Sequence, residues 1–287
     1  MTAGVGKALA VLIVVLGVAV VGLDQWQVRE GHRSLLGFEL LRRAPAAAPS
    51  PPPPPLPAPA SSSLTETPPR LALVVVGLGA NRDAVLQLRA LGRPLAAAVR
   101  PELPEATWVA GEARRAGMEV LVDLSLEPYR HPGVDPGPGG LTMAMPVEDL
   151  GPRVVSQLQK VPGAVGAIHH LGSRMTEDRT RMRAVLAPLA ERRLLYVDTL
   201  TSNLSVAHDE ARRLGIRALR RQAIVDPAAG EGAQRAALEG GAAVARRRGE
   251  ALIVASADPV TLRLLRDAVT GWEAAGLRLV PVSSLAP

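Results

Sequence analysis

Two adjacent histidines, His169 and His170, close the apolar run 164–168, and Gly172-Ser173-Arg174 then turns the chain toward a helix-like segment. Imidazoles bind metals and move protons near neutral pH. Asp123, Asp198, Asp226 and Ser256 stand at the ends of other short apolar runs. Carboxylates gathered beside an imidazole can hold a divalent cation or carry out acid–base chemistry. In a parallel α/β fold all strand carboxyl ends open on one face, so residues far apart in sequence converge there. Neighbouring side chains on a strand point to opposite faces, so His169 and His170 cannot both serve one site. Asp198 before Thr199 and Asp226 before Pro227 also suit capping and turn roles.

The elements that must position these groups alternate in type. Apolar runs at 71–76, 95–99, 119–124, 164–168, 194–197, 251–255 and 277–280 read as strands. Amphipathic stretches at 83–90, 105–116, 177–192 and 260–274 read as helices. Gly92, Gly117, Gly249 and Gly276 fall where a helix should stop and a strand begin. Such alternation predicts a parallel sheet covered by helices, and residues 70–287 are enough for one (β/α) barrel.

Two different segments precede that domain. Residues 1–43 contain the uninterrupted apolar stretch 8–23 after Lys7. At 1.5 Å per residue it reaches about 24 Å, somewhat short of a ~30 Å hydrocarbon core. No small-x-small cleavage site stands immediately before Asp24, where the triplet is Val21-Gly22-Leu23, so the expectation is an uncleaved signal anchor, a transmembrane helix, rather than a signal peptide. Arg29, Arg33, Arg42 and Arg43 follow the span, and by the charge rule alone they favour a cytoplasmic carboxyl side. Residues 44–69 are rich in Pro, Ala and Ser and read as a semi-rigid linker.

Composition narrows the function. An apolar fraction of 47% supports a sizeable core, but with Trp 3, Tyr 2 and Phe 1 that core must be built from Ala, Val and Leu. The net charge of +6 comes from arginine, since Lys7 and Lys160 are the only lysines. Arg246-Arg247-Arg248 ends a helical pattern, and stacking aromatics are few, which argues against nucleic acid as a partner. With no cysteine, disulfides and thiolate metal sites are excluded.

The stretch 161–176 (VPGAVGAIHHLGSRMT) resembles the histidine motif of the divergent polysaccharide deacetylases, a branch of the NodB-like carbohydrate esterases. Residues 71–79 (LALVVVGLG), 119–128 (EVLVDLSLEP), 136–145 (PGPGGLTMAM), 196–199 (YVDT), 224–226 (IVD) and 276–283 (GLRLVPVS) match further motifs in the family's order. The resemblance covers nearly all of 70–287 and implies a NodB-like (β/α) barrel in which an aspartate and two histidines bind a divalent metal. A second aspartate would act as general base and a late histidine as acid. Transferred residue by residue, His170 keeps the motif histidine, and Asp123 replaces the third-strand histidine. Val76 and Gly77 occupy the positions of the aspartate pair, and Ser256 that of the late histidine. Glu127, Ser173, Arg174, Asp198 and Asp226 remain as implied ligand contacts.

The expectation is therefore a degenerate enzyme with no resident cofactor, anchored in the inner membrane with its domain in the periplasm. It would act by binding an envelope glycan or a protein partner. The alternative is an active metal-dependent carbohydrate de-N-acetylase that holds zinc or another divalent ion through His170, Asp123 and a substituted third ligand.

Overall fold

The structure of the protein, a computed structural model, describes residues 68–286. The apolar span at 8–23 and nearly all of the proline-rich linker lie outside the described residues. Among the described helices, none is long and apolar enough to cross a membrane.

Nine strands form one sheet, and every pairing in it is parallel. In chain order they are β1 (Arg70–Leu78), β2 (Ala96–Val99), β3 (Glu119–Leu126), β4 (Gly166–Leu171), β5 (Leu195–Asp198), β6 (Ala218–Arg220), β7 (Ala223–Val225), β8 (Glu250–Ser256) and β9 (Arg278–Leu279). The helices are α1 (Asp83–Ala90), α2 (Ala106–Arg115), α3 (Val147–Lys160), α4 (Arg179–Glu191), α5 (Ala207–Arg213), α6 (Glu231–Arg248) and α7 (Pro259–Ala274). Across the sheet the order is β6-β5-β4-β3-β2-β1-β8-β7, with β9 added beside β1. The strands expected from sequence are all present. β6 and β7 are additional, at three residues each.

The sheet curls but does not close, so the expected barrel is an open one. β6 and β7 are neighbours in sequence yet lie at opposite edges of the sheet. A cavity of about 450 Å³ opens at this seam, lined by Ala218, Leu219, Arg220, Gln222, Glu250 and Leu252 among others. Gln222 takes a strand's place there: its backbone N–H donates to Leu252 O at 2.9 Å, and its side-chain oxygen accepts from Leu252 N at 2.6 Å.

Side-chain alternation divides the core in two. Leu71, Leu73, Val75, Val120, Val122, Leu124 and Tyr196 face outward under the helices. Ala72, Val74, Ala96, Ala98, Leu121, Ile168, Leu195, Val197, Leu252 and Val254 face inward. Small alanines on β1 and β2 let the curled sheet fill its own interior without aromatics. The carboxyl-terminal residues Val280, Val282 and Leu285 join this inner cluster. They do so at the amino end of the strands, where Val280 N donates to Leu71 O and Ser283 N to Glu119 Oε2 at 3.0 Å. The plug leaves the carboxyl ends as the open side. Gly249 closes α6 in the left-handed conformation (φ 82°), which turns the chain directly into β8.

Candidate functional site

At the carboxyl ends of β3 and β4 the inward-facing residues change from apolar to polar. Leu121, Asp123 and Ser125 follow one another on the inner face of β3, and Ile168 and His170 on that of β4. Ser125 lies opposite His170 in the register, and Asp123, two pairs earlier, lies opposite Ile168. The buried Asp123 carboxylate accepts from His170 Nδ1 at 2.7 Å through Oδ1 and from the Gly77 amide at 3.0 Å through Oδ2. That second bond depends on a bulge. The β1–β2 register shifts between Val75 and Leu78, and Gly77, at φ 82°, turns its N–H toward Asp123. The position where family resemblance expects a catalytic aspartate therefore supplies a backbone donor.

The chain of bonds continues past the ring. His170 Nε2 lies 3.1 Å from Ser125 Oγ, which lies 3.4 Å from Glu102 Oε1, and Arg100 Nε donates to that same oxygen at 2.7 Å. Both protonation states of His170 are satisfied. The neutral ring donates to Asp123 and accepts from the Ser125 hydroxyl, whereas the charged ring donates to both and Ser125 turns its proton to Glu102. Burial disfavours the charged ring, but the charge of Asp123 and its hydrogen bond outweigh this and raise the His170 pKa. Ser125, Glu102 and Arg100 were missed in the sequence, although Ser125 could have been found two residues after Asp123 on the same strand face.

His169 points the other way and belongs to a separate cluster under the helices. Its ring is fully buried and stacks on Tyr196 with centroids 5.8 Å apart. Nδ1 lies 2.7 Å from the Tyr196 hydroxyl and Nε2 2.9 Å from Thr199 Oγ1, with Asp198 Oδ1 at 3.7 Å from Nε2. Asp198 is fully buried on this outer face, accepting from Leu200 N at 2.8 Å and Ser205 Oγ at 3.1 Å. Its turn-forming role is what the structure displays, and its expected convergence with His170 is not found. The alternation Leu195-in, Tyr196-out, Val197-in, Asp198-out is the reason.

Burial pushes the His169 pKa down to about 4 against the pull of Asp198. The unfolded ring titrates near 6.5, so it takes up a proton first as the pH falls. Stability held above about pH 6.5 should therefore be lost progressively toward pH 4, by about 3 kcal/mol in all. The raised pKa of His170 has the opposite sign: its contribution is complete below about 6.5 and lost as pH rises through the folded value. Urea midpoints at pH 7, 6 and 5 should fall for the parent and flatten in His169→Gln. An unchanged acid slope in that variant would show that His169 is not held neutral.

Beyond the strands, Glu127 staples two loops together. Its buried carboxylate accepts from Arg174 NH1 and from Met143 N, each at 2.8 Å, and its carbonyl accepts from Arg174 N and Met175 N. Ser173 Oγ accepts from Tyr129 N at 3.1 Å. Glu127, Ser173 and Arg174 thus form one rim beside the His170 strand pair. Asp226 does not join them. It is exposed at the end of β7 and caps its own turn by accepting from Ala228 N at 2.9 Å. Ser256 ends β8 in register with Val76 and makes no side-chain hydrogen bond among the described residues.

This arrangement limits the chemistry. Among the described residues, no three His, Asp or Glu side chains are placed to hold a metal ion. Asp123 and His170 provide two donors, and each already uses the other. A divalent ion needs three protein ligands and an open position for catalysis, so the residues present do not fit one. Asp123, His170 and Ser125 have the bond order of a serine nucleophile relay. However, Ser125 is 1% exposed and shared with Glu102, so its oxygen is not offered to a substrate carbonyl.

Known proteins resemble the chain over this whole domain. The uncharacterized protein YibQ of Escherichia coli (strain K12) is 27% identical over 216 residues, covering 75% of this chain and 67% of that protein. An uncharacterized protein of Haemophilus influenzae is 26% identical over 212 residues, covering 74% and 72%. The crystal structure of the uncharacterized protein ATU2773 from Agrobacterium tumefaciens C58 superposes with a TM-score of 0.70 at 25% identity, covering 76% of this chain and 89% of that one. The sequence profile of the divergent polysaccharide deacetylases matches residues 73–286, and the chain belongs to that family.

Proposed function

We propose that the domain recognises an acylated envelope glycan without hydrolysing it, and that the segment 8–23 anchors it in the inner membrane with the domain on the periplasmic side. The observation that carries this reading is the closed pair of Asp123 and His170. Their 2.7 Å bond, with the Gly77 amide on the second carboxylate oxygen, commits the polar groups at the strand ends to each other. Val76 and Gly77 offer neither a base nor a ligand, and Ser256 offers no acid near neutral pH. Each such group is worth roughly 10²–10⁴-fold in rate, so their joint loss removes hydrolysis. What remains is an ordered rim of hydrogen-bonding groups at the open side of the barrel. The rival reading, a metal-dependent de-N-acetylase, requires His170 to give up Asp123 or Ser125 and a third donor to move in.

The full chain, titrated with N-acetylglucosamine oligomers and envelope-glycan fragments, should bind and return them with their acyl groups intact. Absence of binding by every such fragment would refute the glycan reading. Protease added to spheroplasts should digest the domain, and full protection would refute the periplasmic placement.

A further inference from the structure

Four aromatic residues lie within the described chain, and three of them are covered. Tyr196 and Trp272 are fully buried, and the Arg82 guanidinium sits 4.5 Å from the centre of the Trp108 ring. Tyr129 is different: it is 60% exposed, and it lies on the rim just beyond the strand that carries Asp123 and Ser125. An exposed tyrosine is commonplace, but this one is held at both ends. Its backbone N–H donates to Ser173 Oγ at 3.1 Å, and its phenol donates to Glu177 Oε2 at 2.5 Å. Glu177 is fixed in turn by the Ser202 hydroxyl, which also receives Leu204 N at 3.1 Å. Three loops, those after β3, β4 and β5, thus cooperate to hold one aromatic face toward solvent.

Arg174 stands on the same rim, next to the serine that fixes Tyr129. Its NH1 donates to Glu127, its side chain is 48% exposed, and its remaining guanidinium nitrogens have no hydrogen-bond partner among the described residues. The pairing is an aromatic face beside free, fixed donors. Sugar rings present an apolar C–H face and a rim of acceptor oxygens, which this pairing complements. A ring held in place before binding also loses little rotamer freedom when a ligand arrives.

We propose that Tyr129 is the stacking platform for one pyranose ring of the glycan, and that Arg174 donates to that ring's acyl or hydroxyl oxygens. The proposal rests on the glycan reading above. Glu177 and Ser173 are positioning residues: Ser173 Oγ and Glu177 Oε2 are spent on Tyr129, and Glu177 Oε1 on Ser202. The guanidinium also sets a preference: an N-acylated or acidic sugar offers its free N–H groups an acceptor, whereas the ammonium of a free amino sugar has donors only.

The test is a calorimetric titration of the full chain with N-acetylglucosamine oligomers and with their de-N-acetylated counterparts. Tyr129→Ala should weaken binding of the acetylated oligomers about tenfold, equivalent to about 1.4 kcal/mol. Tyr129→Phe keeps the ring and should retain most of the affinity, while both variants keep the parent's unfolding midpoint because the side chain is exposed. Arg174→Gln should narrow the gap between acetylated and de-acetylated ligands. If the parent binds and Tyr129→Ala binds equally well, the platform is wrong and the glycan reading stands. If the parent binds no oligomer, both are wrong.

Discussion

Asp123→Ala should destabilise the domain by about 3–5 kcal/mol, the range for breaking one side of a buried charged pair. The carboxylate is fully buried and has two partners in different strands. Removing it orphans the Gly77 amide in the β1 bulge and the Nδ1 proton of His170, and each unsatisfied buried donor contributes about 1–3 kcal/mol. A second consequence separates this from simple loss of packing. Burial already disfavours the charged form of His170, and Asp123 supplies the main opposing force. Without it the imidazole should titrate below its ordinary value instead of above. Denaturant unfolding measures the first effect and an NMR titration of His170 the second. Asp123→Asn keeps an acceptor for Gly77 and should lose less stability. An alanine variant with the parent's midpoint and a still-raised histidine would show that the pair is not formed.

The reverse experiment has a larger expected effect. Val76 lies on the inner face at the end of β1, packed against the inner cluster. The next residue, Gly77, reaches Asp123 with its amide, so the tip of β1 and this part of β3 are adjacent. Val76→Asp combined with Asp123→His places a carboxylate and a second imidazole beside His170 and releases His170 from its partner. Two nitrogens and one oxygen are a sufficient set for zinc with a fourth position open. The double variant should bind zinc with a micromolar or tighter Kd, about 8 kcal/mol, where the parent shows no stoichiometric uptake. Gly77→Asp is better left out, because any side chain at φ 82° is strained although the space around it is open. A folded double variant that ignores zinc would mean that β1, β3 and β4 do not converge as described.

Much of the fold could be read from the sequence because glycine punctuation and apolar runs coincide: Gly117 before β3 and Gly249 before β8 each mark a helix end. The three-residue strands β6 and β7 could not be read, since 218–225 offers no run long enough to show a period. The site was legible in part. Opposite orientation of His169 and His170 follows from strand geometry, and the structure displays it. Placing Asp198 with His170 failed for a physical reason. In a parallel sheet buried on both faces, Leu195, Tyr196 and Val197 are all apolar in contact, so sequence carries no marker of which face Asp198 takes. Asp226 failed differently, because it ends an edge strand beside the open seam rather than a strand beside β4. Ser125 was within reach, two residues from Asp123, but a serine in an apolar run draws no attention until a histidine is found opposite.

We propose that the Asp123–His170 pair is closed on itself and does not run hydrolysis. The most direct test is to measure acetate release from N-acetylated amino-sugar oligomers by the full chain near neutral pH, with and without added zinc, cobalt or nickel. Release should stay at the no-protein background under every metal condition. Metal-dependent release that disappears in His170→Ala would contradict this and make Asp123 the leading substituted ligand.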